Sequence, residues 1–105
     1  MIVVQNNIPV KEEFREEFEK RFMGRAHMVD SAPGFIRNEV LRPVKGDYYV
    51  VMTYWNSMEE FTNWTKSDSF RKAHENPPSS EIFSGENYLT IHEVFSSTEK
   101  IEEKH

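Results

Sequence analysis

The hydrophobic positions change period several times along the chain, and each change marks an element. Met1 to Ile8 opens with three β-branched residues, Ile2, Val3 and Val4, and continues into polar Gln5, Asn6 and Asn7. This reads as a strand ended by Pro9, a residue that suits the approach to a helix. From Lys11 to Val29 the period becomes helical. Phe14, Phe18 and Phe22 fall four apart, and Ala26 and Val29 extend the stripe. Glu12, Arg15, Glu16, Glu19 and Lys20 fill the opposite side. Gly24 weakens the middle of this helix, and Pro33-Gly34 ends the region. Phe35 to Leu41 reads as a strand with poor alternation, and Gly46-Asp47 suits a hairpin turn into Tyr48 to Trp55. That last run alternates Tyr48, Val50, Met52 and Tyr54 with Tyr49, Val51, Thr53 and Trp55. Both sets are largely apolar or aromatic, so helices are expected on one side and a partner subunit on the other.

Ser57-Met58-Glu59-Glu60 has the form of a capping box, in which a serine hydroxyl and a glutamate three residues on satisfy each other's free amides. It predicts a short helix to about Trp64. Ser67 or Asp68 starts another, which runs to Asn76 ahead of Pro77-Pro78. A polar loop over 78–86 leads to a last strand, Asn87 to Phe95, and the charged stretch from Ser96 to His105 reads as a frayed tail. The order is strand, helix, strand, strand, broken helix, strand. It predicts an α+β, ferredoxin-like βαββαβ fold, with one domain over 1–96 and a flexible tail over 97–105.

Composition narrows the chemistry. A chain of 105 residues supports one modest core. With 37% apolar and 30% charged residues it falls in the globular class. The formal charge of −5 argues against a nucleic-acid scaffold, which needs a basic face. There is no cysteine, so disulfides, thiolate metal sites and thiol nucleophiles are excluded. Met1 to Gln5 lacks the pattern of a secretory leader and no run has the length of a membrane span, so a cytoplasmic location is expected.

Candidate chemistry concentrates in Phe61 to His74, FTNWTKSDSFRKAH. Phe61 and Trp64 share a helix face, as do Phe70, Ala73 and His74. The result is an aromatic wall carrying one imidazole, with small Ala73 leaving room beside it. A porphyrin asks for such a surface: apolar walls for the macrocycle and an axial nitrogen for its iron. Spacing by itself equally fits ordinary core aromatics and a hydrogen-bonded surface histidine. No phosphate loop, dinucleotide fingerprint, HExxH or calcium loop is present.

The stretch from Trp64 to His74, with Lys66, Ser67, Asp68 and Phe70 inside it, resembles the active-site helix of the Isd-type haem-degrading monooxygenases. These belong to the wider antibiotic-biosynthesis-monooxygenase superfamily. The resemblance covers nearly the whole chain and includes an asparagine, Asn7, on the first strand. It implies a homodimer whose ferredoxin-like sheets join in an α/β barrel, with a haem cleft in each subunit between helices and sheet. It implies His74 as the proximal axial ligand, Asn7 as the distal hydrogen-bond donor toward the oxygen ligand, and Trp64 as the ring that presses the macrocycle out of plane. Phe22 and Phe70 join these as candidate haem contacts. The implied reaction opens the porphyrin at a meso carbon with molecular oxygen and releases iron, haem being both cofactor and substrate. Electrons would come from a separate reductase or a small-molecule reductant.

Other residues are weighed against plainer roles. His27 suits the end of the first helix, His92 a barrel or interface hydrogen bond, and His105 lies in the tail. Arg21 and Arg25, four apart, are possible propionate partners. Two further functions fit the same residues: a cofactor-free quinol or polyketide monooxygenase, and a non-catalytic haem-binding protein.

Overall fold

Four strands, β1 (Ile2–Pro9), β2 (Phe35–Leu41), β3 (Tyr48–Trp55) and β4 (Tyr88–Glu93), pair in the order β2-β3-β1-β4. They are seen in a computed structural model of the chain that describes residues 1–23, 28–74 and 80–101. Every neighbouring pair is antiparallel. Among the described residues three α-helices complete the fold: α1 (Arg15–Met23), α2 (Met58–Thr65) and α3 (Asp68–Ala73). With the first helix between β1 and β2 and the broken second one between β3 and β4, this is the expected ferredoxin-like order.

Several boundaries differ from the sequence pattern; α3, expected to run to Asn76, ends at Ala73. The helix expected over Lys11–Val29 begins as a 3-10 turn at Glu12–Phe14, because Lys11 is still extended, and a separate 3-10 turn covers Met28–Ser31. Residues 24–27, with Gly24, Arg25, Ala26 and His27, lie outside the described residues. The last strand ends at Glu93 instead of Phe95, where its ladder with β1 runs out opposite Ile2.

Register divides the sheet into two faces. On β3, Tyr49 meets Phe18 of α1 with ring centroids 4.7 Å apart, and Trp55 meets Phe61 of α2 at 5.7 Å. Tyr49, Val51, Thr53 and Trp55 therefore form the inner, helix-bearing face. Across the ladders they sit opposite Ile8, Asn6, Val4 and Ile2 of β1, and the inner face continues through Leu89 and Ile91 of β4. The outer face carries Tyr48, Val50, Met52 and Tyr54 with Val3, Gln5 and Asn7. The two-sided reading of β3 thus holds for its helix side.

The main core lies under α1. Ile8, Val10, Phe18, Tyr49 and Ile82 are buried together, with Phe14, Phe22, Val51 and Phe83 packed against them. Each such side chain contributes about 1.5–3 kcal/mol by leaving water. Ile82 ties the segment after α3 back to the end of β1. Lys11 donates its amide to the Ile82 carbonyl at 2.8 Å, and Phe83 bridges Val10.

At the rim of this core the Tyr49 hydroxyl and the Arg42 guanidinium both donate to the Glu19 carboxylate. These bonds, Arg42 first and Tyr49 second, hold the Glu19 carboxyl at about 2, well below its ordinary 4.5. A lowered acid stabilises the fold above its ordinary value, and that contribution disappears as pH falls through its folded value. Glu19→Gln is therefore expected to be less stable than the parent at neutral pH. The difference should shrink as the pH falls from 4.5 toward about 2. Denaturant midpoints of both proteins across that range check this; a gap that stays constant would remove Glu19 from acid stability.

Among the described residues no helix is long and apolar enough to cross a membrane.

Candidate functional site

The segment between β3 and β4 folds as the caps dictate. The Ser57 hydroxyl accepts from the Glu60 amide at 3.3 Å and donates toward its carboxylate at 3.2 Å, which caps the start of α2. Ser67 does two things at once. Its hydroxyl donates to the Trp64 carbonyl at 2.7 Å and accepts from the Phe70 amide at 3.1 Å. One residue thus closes α2 and caps α3. The break re-aims the chain, so that Trp64 and Phe70, six residues apart, meet edge to face at 5.8 Å.

Behind this pair stands Trp55, fully buried at the end of β3. It contacts Phe35 at 5.5 Å, Phe61 at 5.7 Å and Trp64 at 6.4 Å. Gly34 keeps the floor tight. Its φ is +82°, a conformation glycine adopts without strain, and a Cβ there would run into the Glu60 carboxyl. Its carbonyl accepts from the Asn56 amide at 2.8 Å, pinning the exit from β3.

His74 closes α3 as its C-cap and is exposed. Its ring lies on Phe70 with centroids 4.2 Å apart, and Nδ1 is 2.8 Å from the Phe70 carbonyl. A carbonyl oxygen only accepts, so Nδ1 carries the proton and donates. The lone pair is then on Nε2. A metal-binding imidazole is commonly fixed in this way, one nitrogen tied to a carbonyl and the other presented.

The first strand separates its two asparagines. Asn7 pairs with Val50 and Tyr88 on the outer face, away from both helices, and its Nδ2 donates to the Tyr88 carbonyl at 3.4 Å. The Asn7 side chain therefore lies on the side of the sheet away from α1 and α2. Asn6, opposite Val51 and Leu89, is on the helix-bearing face, half-buried, and its Oδ1 accepts from Asn87 Nδ2 at 3.1 Å. The resemblance pointed to Asn7, whereas the two-residue period sets Asn6 on the helix side. That signal was in the sequence, since Asn6 has the parity of the core residues Val4 and Ile8.

On the same inner face β4 is not covered. Leu89 is 54% exposed and Ile91 40% exposed, although both side chains lie on the helix side of the sheet. The sequence pattern gave no sign of this bare apolar strip, because exposure there depends on how far the helices reach. Phe22 is half-buried against Phe18, with ring centroids 4.8 Å apart, and belongs to the α1 core. His92 pairs with Val3 on the outer face. A hollow of about 250 Å³ touches Trp64 together with Pro33, Glu60 and Ser67, but His74 does not line it. His105 and residues 75–79, including Pro77 and Pro78, lie outside the described residues. An imidazole Nε2, an aromatic wall, an inner-face amide and an apolar strip are the groups that suit an iron porphyrin.

A family profile described as antibiotic biosynthesis monooxygenase matches residues 1–76. The chain belongs to this family. Within the antibiotic biosynthesis monooxygenases it is homologous to haem degraders. It is 37% identical over 89% of both chains to a mycobilin-producing heme oxygenase of Mycobacterium tuberculosis. It is 38% identical to a staphylobilin-producing heme oxygenase of Staphylococcus haemolyticus, covering 72% of this chain and 75% of the relative. Among solved structures, the heme degrader MhuD of M. tuberculosis with two hemes in its active site superposes with a TM-score of 0.78. The identity is 36%, over 94% of this chain and 100% of that one.

Proposed function

We propose that this protein is a haem-degrading monooxygenase in which His74, Trp64 and Asn6 are the working residues of the cleft. The observation that carries the reading is the His74 ring, tied through Nδ1 to the Phe70 carbonyl and presenting Nε2, in a chain homologous to haem oxygenases. Bound haem supplies the iron at which molecular oxygen and electrons open the macrocycle. The protein binds, orients and shields.

His74 Nε2 would hold the haem iron, and Phe70, stacked on the imidazole, fixes the plane of the ring. Trp64, backed by buried Trp55, presents a stiff aromatic surface to the macrocycle. Leu89 and Ile91, exposed on the inner face, would receive an apolar edge of the porphyrin. Asn6 stands on the sheet side and offers an uncharged amide donor. Phe22, at the edge of the α1 core, extends the apolar lining. Electrons come from a separate reductase or a small reductant. A second copy covers the outer face, where Tyr48, Tyr88 and Leu41 are exposed, giving a dimeric barrel.

Haem titration tests the reading. A Soret band saturating at one haem per chain is expected, followed by its loss on adding ascorbate in air and by chelatable iron. No haem binding would favour a cofactor-free oxygenase, and a stable band under reductant would favour a haem carrier; either ends the proposal. The strand assignment has its own test. Asn6→Ala is expected to slow ring opening about tenfold, the worth of a hydrogen bond to a charged acceptor. Asn7→Ala should leave the rate alone and cost about 1 kcal/mol of stability through its lost bond to Tyr88. Rate loss in the Asn7 variant alone would restore the original assignment.

A further inference from the structure

On a straight α-helix Phe70 would stand about 9 Å beyond Trp64 along the axis and about a third of a turn away from it, and His74 about 15 Å beyond. The Trp64 and Phe70 rings instead meet edge to face at 5.8 Å, and the His74 ring lies 4.2 Å from Phe70. The break between α2 and α3 makes this meeting possible. Sharp breaks are commonly forced by proline or glycine, yet the run from Met58 to Asn76 contains neither. Lys66 is still in the helical region, and Ser67 is the residue that leaves it, with φ −80° and ψ 158°. The Ser67 amide donates to the Trp64 carbonyl at 3.0 Å, a bond any residue but proline could make. Its hydroxyl adds what few residues can: it donates to the same carbonyl at 2.7 Å and accepts from the Phe70 amide at 3.1 Å.

We infer that Ser67 is a positioning residue: its hydroxyl holds the break that sets Trp64 and His74 on either side of Phe70. The inference rests on the reading of these rings as the haem site. The hydroxyl has one orientation, because a backbone amide only donates and a carbonyl only accepts. It ties the last turn of α2 to the first turn of α3, and the Phe70 carbonyl passes the restraint on to His74 Nδ1. Alanine at 67 would make neither side-chain bond and favours a helix interior over a cap, which shifts the balance roughly fivefold to tenfold toward a continuous helix.

Three variants test this. Ser67→Ala removes the hydroxyl. Ser67→Thr keeps a hydroxyl at the same place and is the conservative rescue. Ser57→Ala removes a cap of the same kind from the start of α2, where no break depends on it. Two readings use haem-free protein. In Ser67→Ala the helical circular-dichroism band at 222 nm should deepen, and the ring-current shifts that Trp64 and Phe70 impose on each other in proton spectra should shrink. Ser67→Thr should match the parent in both. Ser57→Ala should lose thermal stability about as much as Ser67→Ala, with the ring-current shifts intact.

A haem titration then connects the break to binding. Haem affinity is expected to fall about fivefold in Ser67→Ala, since binding must restore a break that the free variant has lost. It should stay within about twofold of the parent in Ser67→Thr and Ser57→Ala. Unchanged ring-current shifts in Ser67→Ala would show that the break holds without the hydroxyl, and an equal loss of affinity in Ser57→Ala would show a general effect of stability; either overturns the inference. A Thr variant that behaves like the Ala variant overturns it as well. A parent protein that binds no haem would defeat the functional reading itself, even with the haem-free results as expected, and the positioning role would fall with it.

Discussion

Replacing His74 with Ala is expected to abolish imidazole ligation and to lower ring opening by on the order of 100-fold or more. Losing a group that merely orients a metal ligand already costs 10- to 100-fold in affinity or activity, and here the ligand itself goes. The fold should survive, because His74 is exposed and lies at the C-cap of a six-residue helix. Exposed substitutions of this kind usually change stability by less than about 0.5 kcal/mol. Spectra of the variant with haem should lack the parent's ligand signature, and free imidazole added to the solution should restore part of it by filling the vacated position. His92→Ala is the matched control, since His92 lies on the outer face opposite Val3. An unchanged spectrum in the His74 variant, or a lost one in the His92 variant, would move the iron elsewhere.

The same residue shows why part of the site was legible in sequence and part was not. Ser57, Glu60 and Ser67 declare their caps through local chemistry, so the broken helix could be placed before any coordinates were known. The phase of Trp64, Phe70 and His74 followed from helix period. What needed coordinates was the hydrogen bond from Nδ1 to the Phe70 carbonyl, which depends on a side-chain torsion at a helix end. Asn6 and Asn7 illustrate a different limit. Strand parity puts them on opposite faces, as the register shows, while family likeness, which pointed to Asn7, carries no register. Ile82 and Asn87 lie in a stretch without period. Their contacts with Val10 and Asn6 arise from the path of the chain after α3, which no local pattern encodes. The bare inner side of β4 was likewise illegible, because Leu89 and Ile91 look like any buried strand pair until the reach of the helices is known.

Trp55 is the position where fold and site depend on one side chain, and Trp55→Ala is expected to cost about 3–5 kcal/mol. The side chain is fully buried and its ring is shared by Phe35, Phe61 and Trp64. Its Nε1 donates to Thr53 Oγ1 at 3.0 Å, so truncation also leaves a hydroxyl without its donor. Against a total stability of about 5–15 kcal/mol for a domain, this loss brings the chain near unfolding. A fall in the thermal midpoint of roughly 12 °C or more is expected for a chain of this size. Trp55→Phe should cost less, since a ring remains against Phe35 and Phe61 while the bond to Thr53 is lost. Function should follow packing and not only folding. Below its melting point the Ala variant should bind haem more weakly than the parent, because Trp64 would have lost the surface that holds it upright. A thermal scan with and without haem measures both effects. A midpoint within a few degrees of the parent would show that the aromatic wall supports itself without Trp55, and normal haem affinity in the folded variant would show that Trp64 needs no backing.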